Sequence, residues 1–230
     1  MKQMVIAIDG PAGAGKSSVA KRVAQALGYR YLDTGALYRA LAWKAIKNGL
    51  RPQDTRYIVD MTRATKVDLQ QHNGEQRVLV DGEDVTEAIR APEVANLASP
   101  ISAIPEVREI LLDWQRDFAK QGGTVAEGRD TGTVVFPNAQ VKIFLTASIE
   151  ERARRRHKEL LERGIDISFH QVKLDMSARD QRDSIRHVAP LRPAPDAVII
   201  DTDNMTLEQV VEEVLRICRA RFTNEAQPST

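Results

Sequence analysis

Eight consecutive residues carry the most specific chemistry in the chain: Gly10-Pro11-Ala12-Gly13-Ala14-Gly15-Lys16-Ser17, which reads G-x-x-x-x-G-K-S. Small side chains in such a run let successive backbone N–H groups close around a phosphate, and a helix beginning at its end adds partial positive charge. Lys16 is spaced to reach the outer phosphates of a nucleoside triphosphate and Ser17 to offer its hydroxyl to Mg²⁺, with Ser18 next on the same turn. A phosphate loop by itself serves switches, motors and small-molecule kinases alike. The chain contains no N-K-x-D, the usual guanine-reading sequence, and its 230 residues weigh against a mechanical ATPase with coupling domains.

The second feature is a distribution of arginine. Lys and Arg number 33 against 32 Asp and Glu, a net charge of +1, so no broad field steers a long polyanion such as nucleic acid. The cations are instead gathered locally: Arg39, Arg108, Arg129 within Glu127-Gly128-Arg129-Asp130, and the runs Arg152 to Arg163 and Arg179 to Arg186. Two phosphate-bearing substrates need such clusters, because like charges about 4 Å apart repel by roughly 4 kcal/mol at an effective dielectric near 20. Guanidinium groups clamp phosphate bidentately and stabilise the charge of a transferring phosphoryl group. Arg152, Arg154, Arg155 and Arg156 lie on adjoining helical turns and fit a mobile lid that closes and expels water. Beside Glu150, Glu151, Glu159 and Glu162 they fit a solvated, ion-paired helix face equally well.

These groups require a scaffold that presents a loop at a strand end. Met4–Ile8, Thr124–Ala126, Val141–Leu145 and Ala197–Ile200 are apolar, strand-like segments, with helical runs at Gly15–Leu27, after Leu145 and over Thr206–Phe222. That alternation predicts an α/β doubly wound parallel sheet covered on both faces. Val67-Asp68-Leu69, Asn73-Gly74, Val78-Leu79-Val80, Asp81-Gly82 and Val85 predict a small antiparallel β insert, since both Gly dipeptides accept the positive φ of tight turns. Glu106–Gln121, opening at Pro105 and closing at Gly122-Gly123, places Val107, Ile110, Leu111, Trp114 and Phe118 on one core-facing helical stripe. The lone Cys218 excludes an intrachain disulfide, no Cys/His group has zinc-site spacing, and no apolar run approaches the roughly 20 residues of a membrane span. The expectation is a cytoplasmic monomer with neither nucleic-acid nor membrane partners.

Taken together, the phosphate loop, Asp33-Thr34-Gly35-Ala36-Leu37-Tyr38-Arg39, Gly128-Arg129-Asp130-Thr131-Gly132-Thr133-Val134-Val135-Phe136-Pro137, and Arg179-Asp180 through Arg186-His187-Val188-Ala189-Pro190-Leu191 resemble the bacterial cytidylate kinase family. The match runs in order from about Met4 to Phe222. The resemblance implies a P-loop NTPase-type core with a helical lid, transferring the γ-phosphoryl group of ATP to CMP or dCMP with Mg²⁺. It divides the chain into a core (1–35, 87–150 and 187–222), an acceptor region with the β insert (36–86), an Arg-rich lid (151–168), a substrate-binding helix (169–186) and a flexible tail (223–230).

Carried over residue by residue, the resemblance puts Arg39 and Arg129 at the acceptor phosphate, Ser99, Arg108 and Asp130 at the cytosine, and Thr34 among the substrate-binding residues. Arg179, Asp183 and Arg186 fall at the sugar, Arg186 also reaching phosphate. Lys16, Arg129, Arg186 and the lid residues Arg152, Arg155 and Arg156 supply the catalytic charge. A carboxylate beside a guanidinium suits cytosine, which offers an N4 donor next to N3 and O2 acceptors. Asp183 also reads as a helix-surface carboxylate paired with Arg179 or Arg186. Two positions depart from the family pattern: Glu127 stands where Asp is frequent, and Thr34 where some members have serine.

Overall fold

Strand β1, Val5–Asp9, runs through the phosphate loop into α1, Lys16–Leu27, and β2, Arg30–Asp33, into α2, Thr34–Lys47, and α3, Thr55–Ala64. Strands β3, Val67–His72, β4, Glu75–Val80, and β5, Glu83–Asp84, precede a 3₁₀ turn, Ala88–Arg90, then α4, Pro92–Ile101, and α5, Pro105–Ala119. Next come β6, Thr124–Gly128, a π-helical turn, Thr131–Val135, and β7, Val141–Thr146. Helices α6, Ile149–Glu162, and α7, Phe169–Ile185, lead to β8, Val198–Asp201, and α8, Leu207–Glu225. The computed structural model describes residues 4–72, 75–120 and 122–225.

The main sheet has the order β2-β6-β1-β7-β8 and is parallel throughout, as the alternation predicts. Central β1 is a nearly unbroken apolar run, with Ile6, Ala7 and Ile8 fully buried, as a strand covered on both faces must be. Its neighbour β6 ends level with it and β7 runs two residues further, so the phosphate loop, Gly128-Arg129-Asp130 and the start of the α6 region emerge at one edge. In an open α/β sheet that carboxyl edge is where ligands bind. Strand β2 was not among the expected strands. It is four residues long at the sheet's edge and has half-buried polar ends, Arg30 and Asp33, so no apolar alternation marks it.

The antiparallel insert forms as predicted, with Val67 opposite Val80 and Val80 opposite Glu83. Asp81 and Gly82 take φ 51° and 88°, the left-handed pair that a two-residue hairpin demands. The Asn73-Gly74 turn lies outside the described residues. Three apolar clusters hold the molecule. One joins α1, α8 and the sheet, and a small one joins α6 and α7 through Ala153, Leu160, Val172 and Met176. The third packs α2 and α3 against β4, α4 and α5, from Ala36 to Leu111. Helices α4 and α5, from the expected core segment 87–150, pack in this cluster with α2, α3 and β4, while β6 and β7 of the same segment lie in the main sheet. The stripe on α5 buries Val107 and Leu111 fully, and the same face carries buried Arg108 and Gln115. Helix α8 continues to Glu225, so the first residues of the expected tail are helical, and residues 226–230 lie outside the described ones. Among the described residues no helix is long and apolar enough to cross a membrane.

Candidate active site

The phosphate loop is pressed against its surroundings. A Cβ on Gly10, whose φ is +147°, would stand 2.0 Å from the Leu145 carbonyl of β7. On Gly13, φ +75°, it would meet Met176 of α7 at 2.8 Å and the Arg152 carbonyl of α6 at 2.9 Å. Only glycine fits either place. The α1 N-terminus, where Gly15 caps in the left-handed conformation, faces open space.

Lys16 is buried, and its Nζ donates to the Pro11 carbonyl at 2.7 Å. Burial, reinforced by the charge of Arg129 and partly opposed by Glu127, pulls its pKa down to about 7. Glu127 at the end of β6 is also buried and accepts from the Tyr31 hydroxyl at 2.7 Å. Burial and then the charge of Asp33 push its pKa up, against Lys16 and hydrogen bonds from Ser17 and Tyr31. Asp9, the last residue of β1, accepts from the backbone N–H of Thr131 at 2.8 Å and of Gly132 at 2.7 Å. It thereby ties the phosphate-loop strand to the turn after Arg129. Burial raises its pKa to about 6.

The acceptor side is a chain of guanidinium–carboxylate contacts. Arg39 donates to Asp33 Oδ2 at 2.6 Å, while Asp33 Oδ1 caps α2 through the Ala36 N–H at 2.9 Å. Arg129 Nε donates to Asp183 Oδ2 at 3.1 Å, and Ser99 Oγ to Asp183 Oδ1 at 3.4 Å. Burial alone would raise the pKa of Asp183; Arg129, Arg179 and Arg186 outweigh it and hold the carboxyl low. At 4% exposure Asp183 is no surface carboxylate.

Deeper in, Arg108 and Arg186 flank Asp130, Arg108 through its Nη2 and Arg186 at 3.3 Å. Both also contact Ser102, Arg108 at its carbonyl and Arg186 at its hydroxyl. Tyr38 lies against Arg108, 5.6 Å from ring centre to guanidinium carbon. Arg179 joins this network only as an ion pair. Its Nε is buried without a hydrogen-bond partner, 3.9 Å from Asp183, and burial followed by the charge of Arg129 lowers its pKa to about 10.

One cavity of about 660 Å³ joins the two sides. Its walls include Gly13, Gly15, Lys16, Ser17 and Ser18 of the loop and α1, together with Thr34, Arg39, Ser99, Arg108, Arg129, Asp130, Arg179, Asp183 and Arg186. Arg155 and Arg156 border it from α6, and Ala12 joins the loop wall, while Gly10, Pro11 and Ala14, also expected to bind nucleotide, do not line it. Arg156 pairs with Glu159 at 2.7 Å, and Arg155 with Glu151 at 3.0 Å and the Thr202 hydroxyl at 3.0 Å. Arg152 was expected to face the phosphates, and the structure turns it away: it is buried against the Ala12 and Ala147 carbonyls and Asp180.

The sequence reading missed Tyr31, Asp33, Tyr38, Ser102 and Gln76, which line the cavity, and Asp9, which holds the turn after Arg129 and Asp130. Asp9 at a strand end directly before the loop, and Asp33 six residues before Arg39, were the available signals.

The cytidylate kinase family model matches residues 6–220. The cytidylate kinase of Caldicellulosiruptor bescii is 48% identical over 98% of this chain and 100% of its own length. That of Desulfitobacterium hafniense is 51% identical over 94% of this chain and 93% of its own. A bifunctional pantoate ligase/cytidylate kinase from Synechococcus sp. is 47% identical over 95% of this chain, which spans 41% of that longer protein. Among solved structures, an uncharacterized protein from Eubacterium ventriosum aligns at TM-score 0.52 and 11% identity over 95% of this chain and 99% of its own, a likeness of fold. A phosphate loop and an arginine-walled second pocket meet in one cavity, and the sequence match covers every residue that builds them: the chain belongs to the cytidylate kinase family.

Proposed function

We propose that the chain transfers the γ-phosphoryl group of ATP to CMP and dCMP, giving the diphosphates. The observation that carries this reading is one cavity lined both by Lys16 and the α1 N-terminus and by Arg39, Arg129 and Arg179. The acceptor phosphate brings its own nucleophilic oxygen. A P–O bond forms from that oxygen to the γ-phosphorus as the bond to the bridging β–γ oxygen breaks, so the protein contributes position and charge stabilisation.

Lys16 exchanges the Pro11 carbonyl for phosphate oxygens. Arg39 and Arg129 hold the acceptor phosphate, Arg179 and Asp183 the sugar with Arg186 reaching both, and Arg155 and Arg156 border the cavity from α6. The Ser17 hydroxyl and the Glu127 carboxylate are hard oxygen donors suited to Mg²⁺, which is typically held by one or two protein oxygens plus nucleotide phosphates. Consistent with that mode, no cluster of three or more His, Cys, Asp or Glu stands ready as a cage among the described residues. When bound, Mg²⁺ neutralises charge on the donor phosphates.

Base choice falls to the Arg108–Asp130–Arg186 array. Asp130 accepts where cytosine donates its N4 amino group. Uracil presents an acceptor there and leaves a buried polar group unpaired, at about 1–3 kcal/mol. A coupled assay over CMP, dCMP, UMP, AMP and shikimate tests the proposal. CMP and dCMP are expected to give the highest kcat/KM, and preference for any other acceptor would overturn it.

A further inference from the structure

We infer that Arg152 is a positioning residue that ties the phosphate loop to helix α7, so that filling the donor side tightens the acceptor side and the reverse. Its guanidinium joins three segments of chain. Nε donates to the Ala147 carbonyl after β7 at 2.9 Å, and Nη1 to the Ala12 carbonyl of the phosphate loop at 3.1 Å and to Asp180 Oδ2 of α7. The residue is 7% exposed, so this contact is not a surface ion pair.

Packing reinforces the joint, because Gly13 of the loop lies flush against the Arg152 backbone and Met176 of α7. Asp180 follows Arg179 in the chain and sits one helical turn before Asp183, which holds Arg129 and Ser99. A displacement of Ala12-Gly13 by phosphate therefore reaches the acceptor arginines through rigid parts. One feature separates this joint from inert packing: Asp180 Oδ1 is buried with no hydrogen-bond partner. A half-satisfied buried carboxylate favours a second arrangement in which both oxygens are engaged, and two arrangements are what coupling between sites requires.

The inference rests on the kinase reading, and the experiment separates the two. The Kd of CMP is measured calorimetrically for the full chain with and without a non-hydrolysable ATP analogue. In the unaltered protein the analogue is expected to tighten CMP at least about fivefold, the lower end of usual coupling factors. Arg152→Gln, Asp180→Asn and the double variant are each expected to bring that ratio within about twofold of one, with the double no worse than either single change. A role confined to stability would lower Tm and leave the ratio intact.

A ratio of one in the unaltered protein, or an unchanged ratio in Asp180→Asn, would overturn the inference. If Arg152→Gln does not fold, Asp180→Asn decides, since it exchanges a carboxylate for an amide of the same shape. If the acceptor panel selects another acceptor, the cytidylate reading fails, and the same ratio measured with that acceptor still decides the role of Arg152.

Discussion

At the residue scale, charge is held where charge must later be met. Lys16 is buried beside Arg129 and titrates at about 7, far below an ordinary lysine, so the ligand-free site stores an unfavourable arrangement that an anion relieves. Lys16→Met is accordingly expected to cut kcat by about 10²–10³, the scale of losing one preorganised donor to a developing charge. The same change leaves the ligand-free Tm unchanged or raised, because a buried cation is removed. Paired turnover and melting measurements check this, and near-normal turnover would sink the proposed mechanism.

Asp130 serves differently, as the one carboxylate between Arg108 and Arg186. Asp130→Asn is expected to lower kcat/KM for CMP by about 10–100-fold, the range for unpairing a buried polar contact, and to lower it less for UMP. Equal losses would remove Asp130 from base readout. The sequence named both residues because their motifs are contiguous. Tyr31, Asp9 and Ser102 escaped because each acts across more than 80 residues or through a backbone atom.

At the element scale, helical periodicity sorts an arginine run that composition could only count. Along α6, Arg152 points inward to Asp180, Arg154 faces solvent beside Glu151, Arg155 reaches Thr202, and Arg156 borders the cavity. The sequence left a lid and a solvated face as alternatives; in the structure Arg154 is solvated, Arg155 and Arg156 border the cavity and Arg152 is a buried strut. Ser148 and Ser168 cap α6 and α7 through the N–H groups of Glu151 and Gln171, each at 3.2 Å, a signal that the sequence reading did not use. Strand β2 was illegible because an edge strand of four residues with polar ends has no periodicity to read.

The loop glycines give an element-scale prediction. Gly13→Ala and Gly15→Ala both incur about 1–2 kcal/mol for placing alanine at positive φ, but only Gly13 also meets α6 and α7. Thermal melts are expected to show the larger loss for Gly13→Ala. Equal losses would mean that the loop does not pack on those helices as the geometry implies.

At the scale of the whole molecule, a net charge of +1 conceals a cavity whose cations repel one another until a phosphate arrives. Ligand at about 100 times its Kd stabilises by about 2.7 kcal/mol. At about 2–4 °C per kcal/mol for a chain of this size, nucleotide should raise Tm by roughly 5–11 °C. The pH dependence follows from Lys16, whose folded pKa of about 7 lies below its unfolded value. Above pH 7 and up to that unfolded value, the unfolded chain holds the proton more often, so the contribution of Lys16 to ligand-free stability rises with pH across the window; below pH 7 its destabilisation is complete. Polyphosphate supplies the missing counter-charge and restores the protonated lysine, so nucleotide binding at pH 8 should take up about one proton. Calorimetry of a non-hydrolysable ATP analogue at pH 8, in two buffers of different ionisation enthalpy, reads that uptake directly. The apparent binding enthalpy is expected to differ between buffers for the unaltered chain and to converge for Lys16→Met. Buffer-independent enthalpies for the unaltered chain would show that Lys16 already carries its proton in the empty site, and that the cation cluster is not relieved in this way.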